Sequence, residues 1–126
     1  MKIATNIVGG LLGFLFIMVS LMVLLGFAPK PELIPGTPKA AFFDAFGPTG
    51  WLTLVKLLEL LGGILVAIPK VRNFGLLILG PIIVNILAFH ILVAHGEGLV
   101  GLPLVVALMA LFLLWTARKA FAGLMN

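Results

Sequence analysis

The chain has 126 residues, of which 63% are hydrophobic before its 15 glycines are counted, and only 10% are charged. A typical soluble domain is about 45–50% apolar with glycine included and about 25% charged, and a small fold cannot hide such an excess of apolar surface. The composition, with a mean hydropathy of +1.33, therefore excludes a soluble enzyme or a disordered tail and predicts an integral membrane protein. The net charge of +4 does not indicate nucleic-acid binding, because the basic residues are scattered at segment boundaries.

Four apolar segments approach or exceed the roughly 20 helical residues that a bilayer requires. They are residues 7–27, 52–68, 73–94 and 99–117. We therefore predict one domain over residues 1–126 with an all-α fold, an antiparallel four-helix bundle in the membrane. A cleaved signal peptide is the alternative for the first segment, although its 21 apolar residues exceed the usual apolar region of about 7–15 residues.

The connection after the first segment holds five of the eight prolines in the chain. Thr37 and Pro38 resemble a helix N-cap followed by proline at the first helical position, so we predict a short interfacial helix over residues 40–46. Three aromatic side chains fall near one face of this helix: Phe42, Phe43 and Phe46. A disordered loop is the alternative, and a lid over a cavity below is the sharper hypothesis.

Residues typical of helix caps and turns lie at the boundaries of the remaining segments. Thr49 is a candidate cap for the second helix and Asn73 for the third, and residues 95–98 (HGEG) predict a tight turn before the fourth. Three glycines in the first helix, Gly9, Gly10 and Gly13, predict a close helix–helix contact.

The distribution of cations predicts the orientation of the four spans. Five cations fall on the side that holds both termini: Lys2, Lys70, Arg72, Arg118 and Lys119. The other side carries only Lys30 and Lys39. Because cytoplasmic loops carry the excess of Lys and Arg, we predict a multi-pass protein of the inner (cytoplasmic) membrane with both termini in the cytoplasm.

Five polar residues lie within the predicted spans: Ser20, Lys56, Glu59, Asn85 and His90. At 1.5 Å per residue, all five fall in the outer half of the membrane, with Glu59 about 12 Å deep and Asn85 about 14 Å deep. Ionisable groups in a span are by default paired or functional, and Lys56 and Glu59 are three residues apart, so they can pair. The pair is either a structural lock or part of a ligand, substrate or proton site.

Further residues are predicted to shape a pocket around this layer. Gly62 and Gly63 let another helix approach closely, and Pro81 predicts a kink that opens the bundle. We expect Ser20 to bond to its own helix, and Asn85 to bond to another helix. His90 either lines the pocket or reaches headgroup water. One such histidine, one glutamate and no cysteine do not make a metal site, and no catalytic residue is predicted.

The stretches VKLLELLGG (residues 55–63) and LGPIIVNILAFH (residues 79–90) resemble the DoxX-like family of small membrane proteins. The resemblance implies a four-helix membrane fold. Some members are named as small subunits of a thiosulfate:quinone oxidoreductase, and distant animal relatives assist receptor assembly. No established catalytic role comes with the matching residues.

Three functions follow as hypotheses. The first is a pocket for a quinone- or lipid-like molecule in a redox-linked membrane complex. There Lys56 or His90 binds a ligand carbonyl, Glu59 tunes that donor and Asn85 orients the ligand, while Phe42 and Phe46 cover the cavity. The chain has no intrinsic cofactor, so electron transfer requires a partner subunit or a bound cofactor. The second is an interaction or assembly protein with a structural polar cluster, and the third is a small proton-linked transporter acting as a homo-oligomer.

Overall fold

The computed structural model describes residues 2–125 and is helical, without a strand in that range. Its helices are α1 (Lys2–Leu24), α2 (Pro38–Phe46), α3 (Trp51–Ala67), α4 (Arg72–Ala88), α5 (Leu102–Thr116) and α6 (Arg118–Ala122). Short 3₁₀ turns occupy Gly47–Thr49, Pro69–Val71 and Gly123–Met125. A π-helical turn, Phe89–Val93, extends α4.

Apolar helices indicate a membrane protein, as the composition predicts. Within residues 2–125, two helical stretches are long and apolar enough to cross a membrane, Lys2–Leu24 and Pro69–Val93. Two more qualify if each bent pair counts as one span: Pro38–Thr49 with Trp51–Ala67, bent by 83°, and Leu102–Thr116 with Arg118–Met125, bent by 75°. Large apolar side chains face outward along the helices, including Leu11, Phe14, Leu57, Leu61, Leu77, Val84, Leu108 and Leu111. Such a surface suits lipid rather than water.

The helices depart from the predicted segments mainly at their ends. α1 begins at Lys2 rather than residue 7, because polar residues that lower hydropathy remain compatible with a helix. α5 begins at Leu102, since Pro103 occupies its first turn. The prediction that Asn73 caps α4 is wrong, because Val71 is the N-cap of that helix. The Thr37 cap is confirmed: its hydroxyl accepts a hydrogen bond of 3.3 Å from the amide of Ala40.

α4 continues through Pro81, where a kink was predicted. Beyond Ala88 the helix continues as a π turn, Phe89–Val93, where the amide of Ala94 bonds to the carbonyl of Phe89 at 2.9 Å. π turns are rare and occur mostly as single turns within α-helices, often at functional sites.

Glycines bring α1, α3 and α4 into close contact between the middle of α1 and the end of the bundle where α4 begins. A Cβ on Gly13 would lie 2.5 Å from the carbonyl oxygen of Gly63, and a Cβ on Gly75 would lie 2.5 Å from the amide nitrogen of Val66. A Cβ on Gly62 would lie 2.7 Å from the side chain of Leu79. The contacts join two antiparallel helix pairs, α1 with α3 and α3 with α4. The predicted glycine packing is thus confirmed at Gly13, Gly62 and Gly63.

α5 closes the bundle against α1 and α4. The buried apolar core comprises Leu12, Phe16, Val66, Leu76, Leu79, Ile83, Val106, Ala107, Ala110 and Leu113.

The bundle has two ends. We call the end where α1 and α4 begin and α3 and α5 end the basic end. The opposite end, which carries α2 and residues 94–101, is the loop end.

The glycine contacts predict a position-specific stability effect within α1. Gly13→Ala should destabilise the fold by about 1–3 kcal/mol, because the added methyl group overpacks a backbone contact. The matched control is Gly10→Ala: no atom lies within 4 Å of a Cβ at Gly10, so helix propensity alone should make it neutral or slightly stabilising. Thermal unfolding in detergent measures both, and equal melting temperatures for the two variants would contradict the packing account.

Candidate functional site

An ion pair lies inside the bundle toward the loop end. The ammonium of Lys56 is 3.0 Å and 3.4 Å from the two carboxylate oxygens of Glu59, as their spacing on α3 predicts. The side chain of Glu59 is only 3% exposed and that of Lys56 is 24% exposed. An uncompensated carboxylate in such a place would be costly, so the nearby ammonium is essential to holding the charge there.

A cavity of about 690 Å³ opens beside this pair. Its wall comes from α1, the first connection, α2, α3, α4 with its π turn, and α5. Apolar side chains predominate, including Phe16, Val19, Val55, Ile82, Ile86 and Val106. The polar wall residues are Lys30, Lys56, Glu59, Asn85 and His90. The cavity therefore combines a large apolar volume with a few polar groups.

All four predicted ligand-binding residues, Lys56, Glu59, Asn85 and His90, line this one cavity. The side-chain amide of Asn85 donates a 2.9 Å hydrogen bond to the carbonyl of Pro81 in its own helix, so the predicted interhelical bond is not the one it forms. His90 has Nδ1 2.8 Å from the carbonyl of Ile86. Because a carbonyl only accepts, Nδ1 carries a proton, which leaves Nε2 as an acceptor in the neutral ring.

Aromatic rings connect α2 to this cavity. Phe42 lies 5.0 Å from Phe89 and 6.0 Å from Trp51 between ring centroids. Phe43 lies 5.9 Å from Phe89, and all four of these rings line the cavity. α2 is thus a short helix with its aromatic side chains against the bundle. A 3.4 Å ion pair between Lys39 and Glu97 also links it to the α4–α5 connection.

Five residues predicted to shape the pocket lie outside its wall: Ser20, Phe46, Gly62, Gly63 and Pro81. Ser20 is fully buried and donates a hydrogen bond to the carbonyl of Phe16, which confirms that it bonds to its own helix. Phe46 packs on Trp51 at 4.9 Å, behind the wall. The two glycines set the helix spacing below the cavity. The carbonyl of Pro81 accepts the hydrogen bond from Asn85, which lies in the wall.

Sequence reasoning missed Lys30, the π turn and a buried arginine at the basic end. Arg72 is 7% exposed, although it was predicted to mark a membrane boundary. Its Nε donates to the carbonyl of Val66 at 2.9 Å and its Nη1 to Asn6 Oδ1 at 3.0 Å. Gly9 makes room for it, since a Cβ there would clash with the guanidinium. The signal in the sequence for this contact was a polar residue near each of two helix ends, Asn6 in α1 and Arg72 in α4.

Within residues 2–125, no group of three or more His, Asp or Glu side chains is placed to hold a metal ion. The cavity instead offers hydrogen-bond donors and acceptors beside an apolar wall, which suits an uncharged or amphipathic organic molecule. Comparison with known proteins finds no matching family model, curated protein or solved structure.

The ion pair predicts a non-additive pair of substitutions. Lys56→Met should destabilise the fold by about 3 kcal/mol, because it leaves the buried carboxylate of Glu59 without a counter-charge. Adding Glu59→Gln should restore most of that stability, since no charge then remains to be buried. Unfolding in detergent measures the cycle; a double variant no more stable than Lys56→Met would contradict the pairing.

Proposed function

We propose that the chain is a four-span protein of the inner membrane that holds a quinone- or lipid-like molecule in the cavity at its loop end. The observation that carries this proposal is the Lys56–Glu59 pair on the wall of an otherwise apolar cavity of about 690 Å³.

The distribution of charge supports the proposed topology. Five of the eight cations lie at the basic end, and the four acidic residues of the chain, Glu32, Asp44, Glu59 and Glu97, all fall elsewhere. The excess of cations on one side suits a cytoplasmic face. The two bent helix pairs supply the second and fourth spans in this proposal. α3 alone, with 17 residues, is about 26 Å long at 1.5 Å per residue, slightly less than the hydrocarbon core.

The size and lining of the cavity support a ligand. Small-molecule sites have volumes of about 300–1,000 Å³, a mostly apolar wall and a few polar groups that fix the ligand's orientation. A purely structural ion pair needs no such space beside it. The cavity therefore favours a ligand site over a cluster that serves only assembly, and it suits a head group with carbonyl or hydroxyl oxygens and an apolar remainder.

The polar groups divide naturally between donors and acceptors. The Lys56 ammonium can donate to a ligand carbonyl while Glu59 keeps it charged and in place. Nε2 of His90 and the amide oxygen of Asn85 can accept from a ligand hydroxyl. A molecule that alternates between carbonyl and hydroxyl forms, as a quinone does, finds partners for both forms.

Electron transfer to such a molecule would require a redox centre from a partner subunit or a bound cofactor, since the side chains of this cavity supply none. We therefore place the chain in a redox-linked membrane complex, as its resemblance to DoxX-like proteins implies. Assembly and proton-linked transport are the competing functions. A dry, fully paired cluster without a ligand would favour assembly, and a site open to one side in a symmetric dimer would favour transport.

Ligand binding can be measured through Trp51, which lines the cavity. The chain has two tryptophans, so Trp115→Phe leaves Trp51 as the single indole reporter. In nanodiscs of this background, a short-chain ubiquinone analogue should quench the fluorescence saturably. Lys56→Met with Glu59→Gln should weaken binding about tenfold or more, because hydrogen bonds to charged groups contribute about 1.5–3 kcal/mol.

The control for this experiment is His95→Asn. His95 lies outside the cavity wall and has a positive φ of 54°, which asparagine tolerates, so binding should be unchanged. Retained melting temperature in the double variant separates loss of ligand from loss of fold. Linear, unsaturable quenching, or equal affinity in wild type and double variant, would contradict the proposal.

A further inference from the structure

A second cavity, also of about 690 Å³, lies at the basic end of the bundle. Four cations are in its wall: Lys2, Arg72, Arg118 and Lys119. They come from the start of α1, the start of α4 and the start of α6. Of the residues that line this cavity, none is Asp or Glu. The cavity therefore concentrates positive charge from three separate helices.

The position of Arg72 distinguishes this cavity from an ordinary cationic boundary. A boundary arginine keeps its charged head in water, whereas Arg72 is more than nine-tenths buried. Both of the acceptors that it reaches, the Val66 carbonyl and the Asn6 amide oxygen, are neutral. Its Nη2 is buried without a hydrogen-bond partner among residues 2–125. Among residues 2–125, the protein thus buries a positive charge beside a cavity without placing an anion within hydrogen-bond distance of it.

Two of the other cations are positioned by the turn between α5 and α6. The stretch Arg118–Met125 is bent by 75° from α5, which brings Arg118 and Lys119 across the end of the bundle. Arg118 stacks 4.6 Å from the ring of Trp115 and donates to its carbonyl at 2.8 Å, so its orientation is fixed. The neutral polar side chains of Thr5, Asn6, Asn73 and Thr116 complete the polar part of the wall.

We infer that this cavity binds a phosphate-bearing anion, and that its source is the headgroup of an acidic phospholipid in the leaflet at the basic end. A phosphate group supplies the negative counter-charge that is missing beside Arg72, and it accepts several hydrogen bonds from Arg and Lys side chains. Basic pockets between membrane helices on the cytoplasmic side bind such headgroups. The inference rests on the proposed membrane topology, but not on ligand binding in the other cavity, so either binding claim can fail alone.

The test compares lipids that differ only in headgroup. Native mass spectrometry of the purified protein should retain phosphatidylglycerol in preference to phosphatidylcholine with the same acyl chains. Lys119→Gln should reduce retention of phosphatidylglycerol about fivefold, as expected for one cation near a lipid surface. Lys119 is chosen because replacing the buried Arg72 risks unfolding. The matched control is Lys70→Gln, which removes one charge at the same end from a residue outside the cavity wall and should leave retention unchanged.

A second arm distinguishes a headgroup from free phosphate. Inorganic phosphate at millimolar concentration should leave the melting temperature unchanged if the lipid is the ligand. Phosphate that raises the melting temperature in wild type but not in Lys119→Gln, without preference for phosphatidylglycerol, would overturn the lipid assignment in favour of a soluble anion. Equal retention of the two lipids with no effect of phosphate would overturn the site altogether, as would an equal loss of retention in Lys70→Gln.

Discussion

The carboxylate of Glu59 is almost entirely withdrawn from solvent, and the ammonium of Lys56 neutralises it from one turn away on the same helix. A short i,i+3 spacing makes the pair independent of tertiary contacts, so it can form as α3 forms. Burial of such a pair generally adds little to stability compared with apolar residues of the same volume. Its presence beside an open, apolar volume therefore supports the proposed ligand site over a role in stability alone.

The glycine contacts set where the helices come closest. Gly13 meets Gly63 midway along α1, whereas Gly75 meets the backbone of Val66 near the start of α4 and the end of α3. The closest contacts therefore lie between the middle of the bundle and its basic end, and the Lys56–Glu59 pair lies on the loop-end side of them. The two cavities differ in charge because of the residues at each end: an internally neutralised pair near the loops, and cations without acidic partners at the basic end. The two ends of one bundle thus carry chemically different cavities.

Hydropathy was sufficient to predict α1, α3, α4 and α5, and helical spacing to predict that Lys56 can pair with Glu59. The Thr37–Pro38 cap predicted α2, whereas α6 was not predicted. Hydropathy could not give the helix ends, because polar residues such as Lys2 remain helical beyond the apolar segment. The π turn is defined by its hydrogen-bond geometry, which no residue type in Phe89–Val93 predicts. The burial of Arg72 required knowing that Gly9 and Asn6 face it across the bundle, which is a tertiary fact. Pro81 lies inside α4, which continues through it, and the kink there stays a prediction.

The proposed function requires a small molecule in the space beside the ion pair. The most direct measurement is a high-resolution density map of the protein purified with its native lipids. We expect an extended non-protein density in the cavity, with a polar group within hydrogen-bond distance of Lys56, Asn85 or His90. A cavity filled by inward movement of α2 and its phenylalanines, or Lys56 and Glu59 turned toward acyl chains, would contradict it.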